Sequence, residues 1–283
     1  MKIGVSAYSF SQYIAKKKMT QFDTIKKAKE IGFDAIEFTD LTPPEGVSVE
    51  EYAENIRKEA EKVGIEISAY AVGACFALKD ENKRKEEVRR IQKCVDIAHI
   101  LGASVLRHDV MYTYEEFRTY DDALPVIAEC TREVTAYAAE KGIRTAIENH
   151  GLICQEPERL ERLMQAVNHE NFGLLTDIGN FMCADLQSEL CVARLANLAV
   201  LVHAKDFVKT DFYDVTEQKG FVTRACNRLM GVSVGEGDVR AKQCFAALKQ
   251  AGFDGYADVE YEGAEDCVEG VKKSLAFLRD ITA

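Results

Sequence analysis

The hydrophobic and polar positions of the chain alternate between a helical period and a strand period, and the change repeatedly falls at a glycine. An amphipathic helical pattern ends at Gly32, Gly64, Gly102, Gly142 and Gly252, and an apolar run typical of a strand follows each of them. Glycine can adopt the left-handed conformation that ends a helix, which lets the chain turn into the next strand. The five junctions therefore predict a repeated helix-to-strand unit.

Eight strands follow from this pattern. Five come after the glycines, at 35–38, 67–70, 105–108, 143–148 and 256–260, and three more apolar runs lie at 2–8, 172–177 and 199–203. Helical periodicity fills the intervals, at about 20–31, 48–63, 83–101, 121–141, 156–167, 188–198, 239–251 and 265–280. Thr20 and Asp23 are typical of a capping box at the start of the first helix.

The order of these elements predicts the fold class. Strands that alternate with helices pair in parallel through right-handed crossovers, and eight such units over about 250 residues match a closed (β/α)8 TIM barrel. We predict one such domain over residues 1–283. An open doubly wound sheet is the alternative, but residues 6–11 (SAYSFS) hold no glycine-rich phosphate-binding turn. Residues 207–237 predict a long loop after the seventh strand, over the active face.

Polar side chains end four consecutive strands, at Glu148, Asp177, His203 and Glu260. Barrel enzymes have their chemistry at the carboxyl ends of the strands, so these four are expected at one side of the mouth. Taken singly, Asp177 could cap a turn, His203 could be a core histidine and Glu260 could pair with a lysine. Together, three carboxylates would repel one another by several kcal/mol without a cation. Mn²⁺ is our first choice, and Mg²⁺, Co²⁺ or Zn²⁺ also suit these donors.

Composition and charge narrow the class of function. A formal charge of −11 repels nucleic-acid phosphates and favours a small, neutral substrate. The nine cysteines are scattered and never in C-x-x-C spacing, which indicates reduced thiols in a cytoplasmic protein. The first residues do not resemble a signal peptide, and no apolar run approaches the roughly 20 residues of a membrane span.

The strand-end residues carry a resemblance to a known family. The segments IENH (147–150), TDIGN (176–180), VHAKD (202–206), GEGD (235–238) and DVEYE (258–262) resemble the xylose isomerase-like sugar isomerase and epimerase barrels. That group includes ketose 3-epimerases, inosose dehydratases and hydroxypyruvate isomerases. The resemblance covers the whole chain and implies one divalent metal ion bound by Glu148, Asp177, His203 and Glu260. It also implies that Glu148 and Glu260 act as catalytic groups on opposite sides of the substrate.

The chain departs from two members of this group. Ketose 3-epimerases carry a histidine, an arginine and a glutamate where this chain has Asn180, Lys209 and Cys154. Endonuclease IV, which resembles the same barrel, uses a histidine on strand three and another at the position of Asn180 to hold three zinc ions. Strand three here reads SAYAV at 68–72. A trinuclear DNA-repair site is therefore not expected.

We interpret four further residues as substrate-binding: His108, His150, Asn180 and Lys205. Because neighbours on a strand point to opposite faces, only one of Arg107 and His108 can face the mouth, and we favour His108. His108 or His150 could instead hold Glu148 in place. Lys205 could neutralise an oxyanion or form a salt bridge with Asp206, and Glu37 could bind a sugar hydroxyl or pair with a basic neighbour.

These residues predict a divalent-metal-dependent isomerase or epimerase of a small carbohydrate, a keto-sugar or polyol, that acts through an enediolate. A lyase on the same site is the alternative, either dehydrating a keto-inositol or cleaving a sugar conjugate. A barrel that binds without turnover and an AP endonuclease are weaker alternatives. We expect no nucleic-acid or membrane partner, while apolar residues around Phe207, Phe212 and Phe221, which we expect to be exposed, suggest contact with a second copy in a homo-oligomer.

Overall fold

The eight predicted strands close into a parallel barrel in the computed structural model, which describes residues 1–114, 116–210 and 220–283. The first strand of the chain pairs in parallel with both the second strand and the last one, which closes the ring. The prediction of a (β/α)8 barrel is confirmed. The barrel strands are β1 (Lys2–Ser6), β2 (Ala35–Thr39), β3 (Glu66–Val72), β4 (Val105–His108), β5 (Arg144–Glu148), β6 (Phe172–Asp177), β7 (Ala199–Ala204) and β11 (Tyr256–Val259).

Helices cover the outside of the barrel, and their ends agree with the sequence signals. All five predicted helix-ending glycines have positive φ, for example 72° at Gly64 and 78° at Gly102. Thr20 and Asp23 form the predicted reciprocal cap, because the Asp23 amide donates to Thr20 Oγ1 and the Thr20 amide donates to Asp23 Oδ2. The helices are α1 (Ser11–Ala15), α2 (Asp23–Ile31), α3 (Val49–Val63), α4 (Glu81–Leu101), α5 (Tyr120–Glu140), α6 (Pro157–Val167), α7 (Ser188–Leu195), α8 (Ala241–Gln250) and α9 (Cys267–Thr282).

A small antiparallel sheet lies between β7 and α8, where the sequence predicted a loop. Its strands are β8 (Asp206–Thr210), β9 (Phe221–Val222) and β10 (Arg228–Val232), with β10 in the centre. Phe207 on β8 is buried, so the prediction that it is exposed is wrong, whereas Phe221 is 41% exposed. Phe212 lies outside the described residues. Contact with a second copy stays a prediction.

The barrel interior has two layers. The deeper layer is a separate apolar cluster of Ala69, Val105, Ala146, Leu175 and Leu201. Side chains on a strand repeat their direction every second residue. The residues two positions after these therefore point into the same interior, nearer the mouth. Those positions are polar on four strands, and they form the site described below. None of the helices in the described ranges is long and apolar enough to cross a membrane.

Candidate metal centre and active site

The four strand-end residues predicted to bind metal come together at the mouth of the barrel. Their ligand atoms all lie within 4.8 Å of one another, and the residues are Glu148, Asp177, His203 and Glu260. His203 Nδ1 lies 3.6 Å from Glu148 Oε1 and 3.5 Å from Glu260 Oε2. The two glutamates therefore approach the same nitrogen of one imidazole.

Three buried atoms of this cluster, His203 Nδ1, Asp177 Oδ2 and Glu260 Oε2, make no hydrogen bond of good geometry among the described residues, although Lys205 Nζ forms ion pairs with the two carboxylate oxygens. Burial of a polar group without a well-formed hydrogen bond costs roughly 1–3 kcal/mol, so atoms that converge in this way favour a shared cation. Three carboxylates and one imidazole match the donors that hold a single divalent cation. The residues present therefore fit a metal ion.

Glu37 determines which nitrogen of His203 is free to bind a metal. Both oxygens of the buried Glu37 carboxylate lie 3.0 Å from His203 Nε2. A carboxylate only accepts hydrogen bonds, so Nε2 carries a hydrogen and Nδ1 is the nitrogen directed at the cluster. Of the two roles predicted for Glu37, pairing with a basic neighbour is the one this geometry supports. Such partners fix ring orientation and raise ligand basicity.

Asp177 combines the turn-capping role and the site position that the sequence suggested separately. Its Oδ1 accepts hydrogen bonds from the backbone amides of Gly179 (2.7 Å) and Asn180 (2.9 Å), which leaves Oδ2 for the cluster. Asn149, one residue after Glu148, donates to the Asp177 carbonyl and accepts from the Asp177 amide, both at 2.8 Å. This pair of bonds fixes the ends of β5 and β6 relative to each other.

The structure corrects the prediction that His108 faces the mouth. His108 is fully buried between the rings of Phe76 and Phe172, at centroid distances of 5.6 and 6.4 Å, and its Nδ1 donates to the Asp109 carbonyl. Arg107 faces the mouth instead, because it follows Val105 of the interior apolar cluster by two positions. Its Nη2 lies 2.5 Å from Glu148 Oε2.

Arg107 belongs to a chain of polar groups that the sequence analysis missed. Asp109 lies 3.3 Å from the Arg107 guanidinium, accepts a hydrogen bond from Tyr112 Oη at 2.9 Å, and has Oδ1 3.0 Å from His150 Nδ1. Strand alternation continued past the end of β4 would have found Asp109, since it lies two positions after Arg107. His150 thus contacts Asp109 rather than Glu148, and its ring stays at the cavity wall.

Lys205 and Asn180, both predicted to bind substrate, lie directly against the cluster. Lys205 Nζ is 2.5 Å from Glu260 Oε2, 3.3 Å from Asp177 Oδ2 and 3.2 Å from Glu262 Oε2. The alternative pairing with Asp206 does not form, because that carboxylate accepts amide hydrogens from Gly235, Gly237 and Val239. Asn180 Nδ2 donates to Glu148 Oε1 at 2.9 Å. Asn180 therefore donates a hydrogen bond at the position where endonuclease IV has a zinc-binding histidine.

Burial and neighbouring charges act against each other on these groups. Burial alone would raise the pKa of Glu148, but Arg107 and His203 hold it well below its ordinary value. Burial raises the pKa of Asp177 to about 6 although Lys205 opposes the change. The pKa of Lys205 is well above its ordinary value because burial is outweighed by Asp177 and Glu260. The protonation states of the groups at the mouth thus depend on burial and on ion pairs that oppose each other.

A cavity of about 370 Å³ opens above the cluster. Tyr8, Asp40, Arg107, His150, Lys205 and Glu262 are among the polar side chains around it. Specific small-molecule sites range from about 300 to 1,000 Å³, so this one fits a small polar molecule. Two departures noted in the sequence lie outside its wall: Lys209 pairs with Asp185 at 3.3 Å, and Cys154 is buried.

Comparison with known proteins assigns the barrel to a family. Residues 25–281 match the family described as "Xylose isomerase-like TIM barrel". The chain belongs to this family. Its members include enzymes that modify small carbohydrates, among them epimerases and dehydratases.

Individual relatives are distant in sequence. An uncharacterized protein, MJ1311 of Methanocaldococcus jannaschii, is 26% identical over 99% of this chain and 89% of its own length. An inosose dehydratase of Geobacillus kaustophilus is 22% identical over 86% of this chain and 80% of its own length. A solved structure of L-ribulose 3-epimerase covers 99% of this chain and 94% of its own, with a TM-score of 0.75 and 15% identity. At that identity, the structural likeness concerns the fold alone.

Proposed function

We propose that this protein is a divalent-metal-dependent isomerase or epimerase of a small carbohydrate, a keto-sugar or polyol. The observation that carries the proposal is the four-donor cluster, in which Glu148 and Glu260 flank His203 Nδ1 at 3.6 and 3.5 Å. A metal-binding pair of carboxylates on two sides of one reaction centre suits proton removal from one face and proton return to another. Both groups lie in a cavity of the size that a monosaccharide requires.

The metal would be held by Glu148, Asp177, His203 and Glu260, whose ligand atoms lie within 4.8 Å of one another. When bound, a divalent cation acidifies the carbon-bound proton next to a carbonyl and stabilises the enediolate that results. Mn²⁺ remains our first choice, since oxygen donors outnumber nitrogen donors by three to one and one imidazole is present.

Glu148 is proposed to remove the proton. Arg107 and Asn180 each hold one of its two oxygens, at 2.5 and 2.9 Å, so the carboxylate has a fixed orientation. A fixed base needs little reorganisation when the proton is transferred. The same guanidinium favours the ionised form of Glu148, which is the form that accepts a proton.

Glu260 is proposed to return the proton from the other side. Lys205 Nζ lies 2.5 Å from Glu260 Oε2 and holds that carboxylate in position. The sequence of steps then balances: one carbon-bound proton moves to Glu148, one proton moves from Glu260 to carbon, and proton exchange with solvent returns both carboxylates to their starting states. Return to the same carbon on the opposite face is epimerisation, and return to the neighbouring carbon is isomerisation. His150 and Lys205 also offer donors to substrate oxygens at the cavity wall.

Hydrogen exchange at carbon tests this proposal. Metal-loaded protein would be incubated in D₂O with a panel of ketoses, keto-inositols and hydroxypyruvate, and proton NMR spectra recorded after chelation of the metal. We expect loss of one carbon-bound proton signal in at least one compound, at the position that reacts. The variant Glu148→Gln should abolish that exchange while its circular dichroism spectrum stays unchanged.

The control separates catalysis from a structural ion. If the metal is bound stoichiometrically and no compound in the panel exchanges, the isomerase proposal fails. If Glu148→Gln loses metal and thermal stability but wild-type protein shows no turnover, the cluster is a structural metal site. Failure of metal-loaded protein to cleave an abasic DNA duplex is expected and would remove the AP endonuclease alternative.

A dehydratase on the same site is the second candidate, and Lys205 is the observation that favours it. An ammonium 2.5 Å from one catalytic carboxylate is placed to protonate a departing hydroxyl group after the same initial proton removal. The inosose dehydratase relative supports this reading. Appearance of an α,β-unsaturated product from a keto-inositol, with no interconverted sugar, would decide for the dehydratase.

A further inference from the structure

A second cavity of different chemistry, here called the second lobe, lies beside the cavity above the cluster. This second lobe, of about 220 Å³, shares His150, Lys205 and Glu262 with the first. Its outer wall is formed by Leu152, Phe207, Phe221 and Val222. Three of these apolar side chains are substantially exposed: Leu152 by 46%, and Phe221 and Val222 by 41% each. The site is therefore polar around the cluster and apolar beside it.

The apolar wall is held in position by the surrounding structure. Phe221 packs edge-on against the buried Phe207, with ring centroids 5.6 Å apart. The turn that follows β9 is fixed to Asp185, whose carboxylate accepts hydrogen bonds from Thr223 Oγ1 at 2.9 Å and from the Ala225 amide at 2.7 Å. An apolar surface that is already ordered binds a ligand without the entropy cost of ordering it.

Single exposed apolar residues are common on proteins and need no explanation. This group differs because residues from two separate segments, the loop after β5 and strand β9, converge on one lobe that shares three wall residues with the cavity at the proposed reaction centre. A free monosaccharide would fill the polar lobe and leave the apolar wall in water. A substrate with an apolar substituent would cover both lobes.

We propose that the substrate is a carbohydrate conjugate, whose sugar part binds at the four-donor cluster and whose aryl substituent binds in the second lobe between Leu152 and Phe221. This inference rests on the proposed carbohydrate function and specifies its substrate class. His150 and Lys205, at the junction of the lobes, would contact the oxygen that links the two parts.

Matched pairs of ligands test the inference. Methyl and 4-nitrophenyl glycosides of glucose, galactose, mannose and xylose would be titrated into Mg²⁺-loaded protein by calorimetry, with saturation-transfer NMR to locate the contact. We expect the aryl member of at least one pair to bind about tenfold more tightly or better, with the strongest saturation on the aryl protons. The variants Phe221→Ser and Leu152→Ser should each remove most of that difference and leave methyl glycoside binding unchanged.

Controls identify the cause of any difference. The variant Leu190→Ser removes a 63% exposed leucine of α7, outside the lobe, and should keep the aryl preference. Equal affinity within every pair, or no binding by any glycoside, would overturn the inference, and so would equally tight binding of 4-nitrophenol alone. A dimer that Phe221→Ser converts to a monomer, with no aryl preference in the wild-type protein, would show that a second copy covers this wall.

The two proposals can fail separately. Exchange of a carbon-bound proton in a free ketose, without any aryl preference, would leave the proposed function standing and overturn the conjugate. An aryl preference that depends on Phe221, without exchange in any sugar or glycoside, would support the conjugate as ligand and overturn the isomerase chemistry.

Discussion

The apolar interior of the barrel and its charged mouth lie two residues apart on the same strands. Val105 precedes Arg107, Ala146 precedes Glu148, Leu175 precedes Asp177 and Leu201 precedes His203, each by two positions. Side chains two apart point in the same direction, so the members of each pair share one side of the sheet and differ only in depth.

The two layers show that stability and chemistry depend on different residues of the same strands. The deeper layer excludes water and gives the strands a packed support. The upper layer uses that support to hold charges whose mutual distances would otherwise vary, in a medium where their interactions are stronger than in water. If this separation holds, changes in one layer should leave the property of the other intact.

The largest effect is expected from removing the proposed base. Glu148→Gln should lower kcat by about 10²–10⁴, because general base catalysis contributes about that factor. The mutant should keep its far-UV circular dichroism, since the deeper layer is untouched, and kcat is compared at equal bound metal because Glu148 is also a proposed metal ligand. Steady-state kinetics on the substrate found by exchange measures the first, and circular dichroism the second. Activity that stays near the wild-type value would remove Glu148 from the mechanism.

An alanine substitution in the deeper layer should lower stability and leave the metal site intact. Leu175 is fully buried two positions before Asp177, and Leu175→Ala should lower the free energy of unfolding by about 2–5 kcal/mol through the cavity it leaves. Metal affinity of the folded protein should change little. Urea unfolding and metal titration measure the two quantities. A large loss of metal affinity with unchanged stability would contradict the separation of the layers.

A smaller effect is expected from the carboxylate that holds His203. Glu37→Gln should weaken metal binding by about 10–100-fold, because the orientation and basicity of the imidazole would no longer be held by a carboxylate. Isothermal titration with Mn²⁺ measures the change directly. Thr135→Val is the control, since Thr135 is also fully buried but bonds Thr145 Oγ1 at 2.7 Å rather than His203. Equal losses in both variants would point to general disturbance of the interior.

The smallest effect is expected outside both layers. Ser48 caps α3 by accepting a hydrogen bond from the Glu51 amide at 3.1 Å, and Ser48→Ala should cost about 1 kcal/mol of stability. Neither metal affinity nor turnover should change. Chemical unfolding and metal titration provide the check. An effect on turnover would mean that helix ends on the outside of the barrel communicate with the mouth.

Much of the architecture could be predicted from local pattern. The glycine-terminated helices and the eight strands were found because helix and strand periods differ and glycine marks the change between them. The four strand-end ligands were found because a barrel brings carboxyl ends of strands to one mouth, whatever the details of packing. Strands β8 to β10 were missed because a long polar insertion carries no strong period.

The choice between Arg107 and His108 could not be made from β4 alone. The strand has four residues, and both of its alternating pairs, Val105 with Arg107 and Leu106 with His108, place one apolar residue before one basic residue. The register with β5, in which Arg107 lies opposite Ala146, decided which pair faces inward. Alternation fixes that two neighbours diverge, but only a partner strand defines which direction is the interior.

The sequence by itself determined the order of helices and strands, the barrel class and the identity of the four donors, because each of these depends on periods and spacings within short segments. Only the tertiary structure decided that Glu37 meets His203, 166 residues away, that Arg107 holds Glu148, and that Leu152 and Phe221 form one wall. These contacts depend on strand register and barrel closure, which bring distant segments together and leave no local signal in the chain.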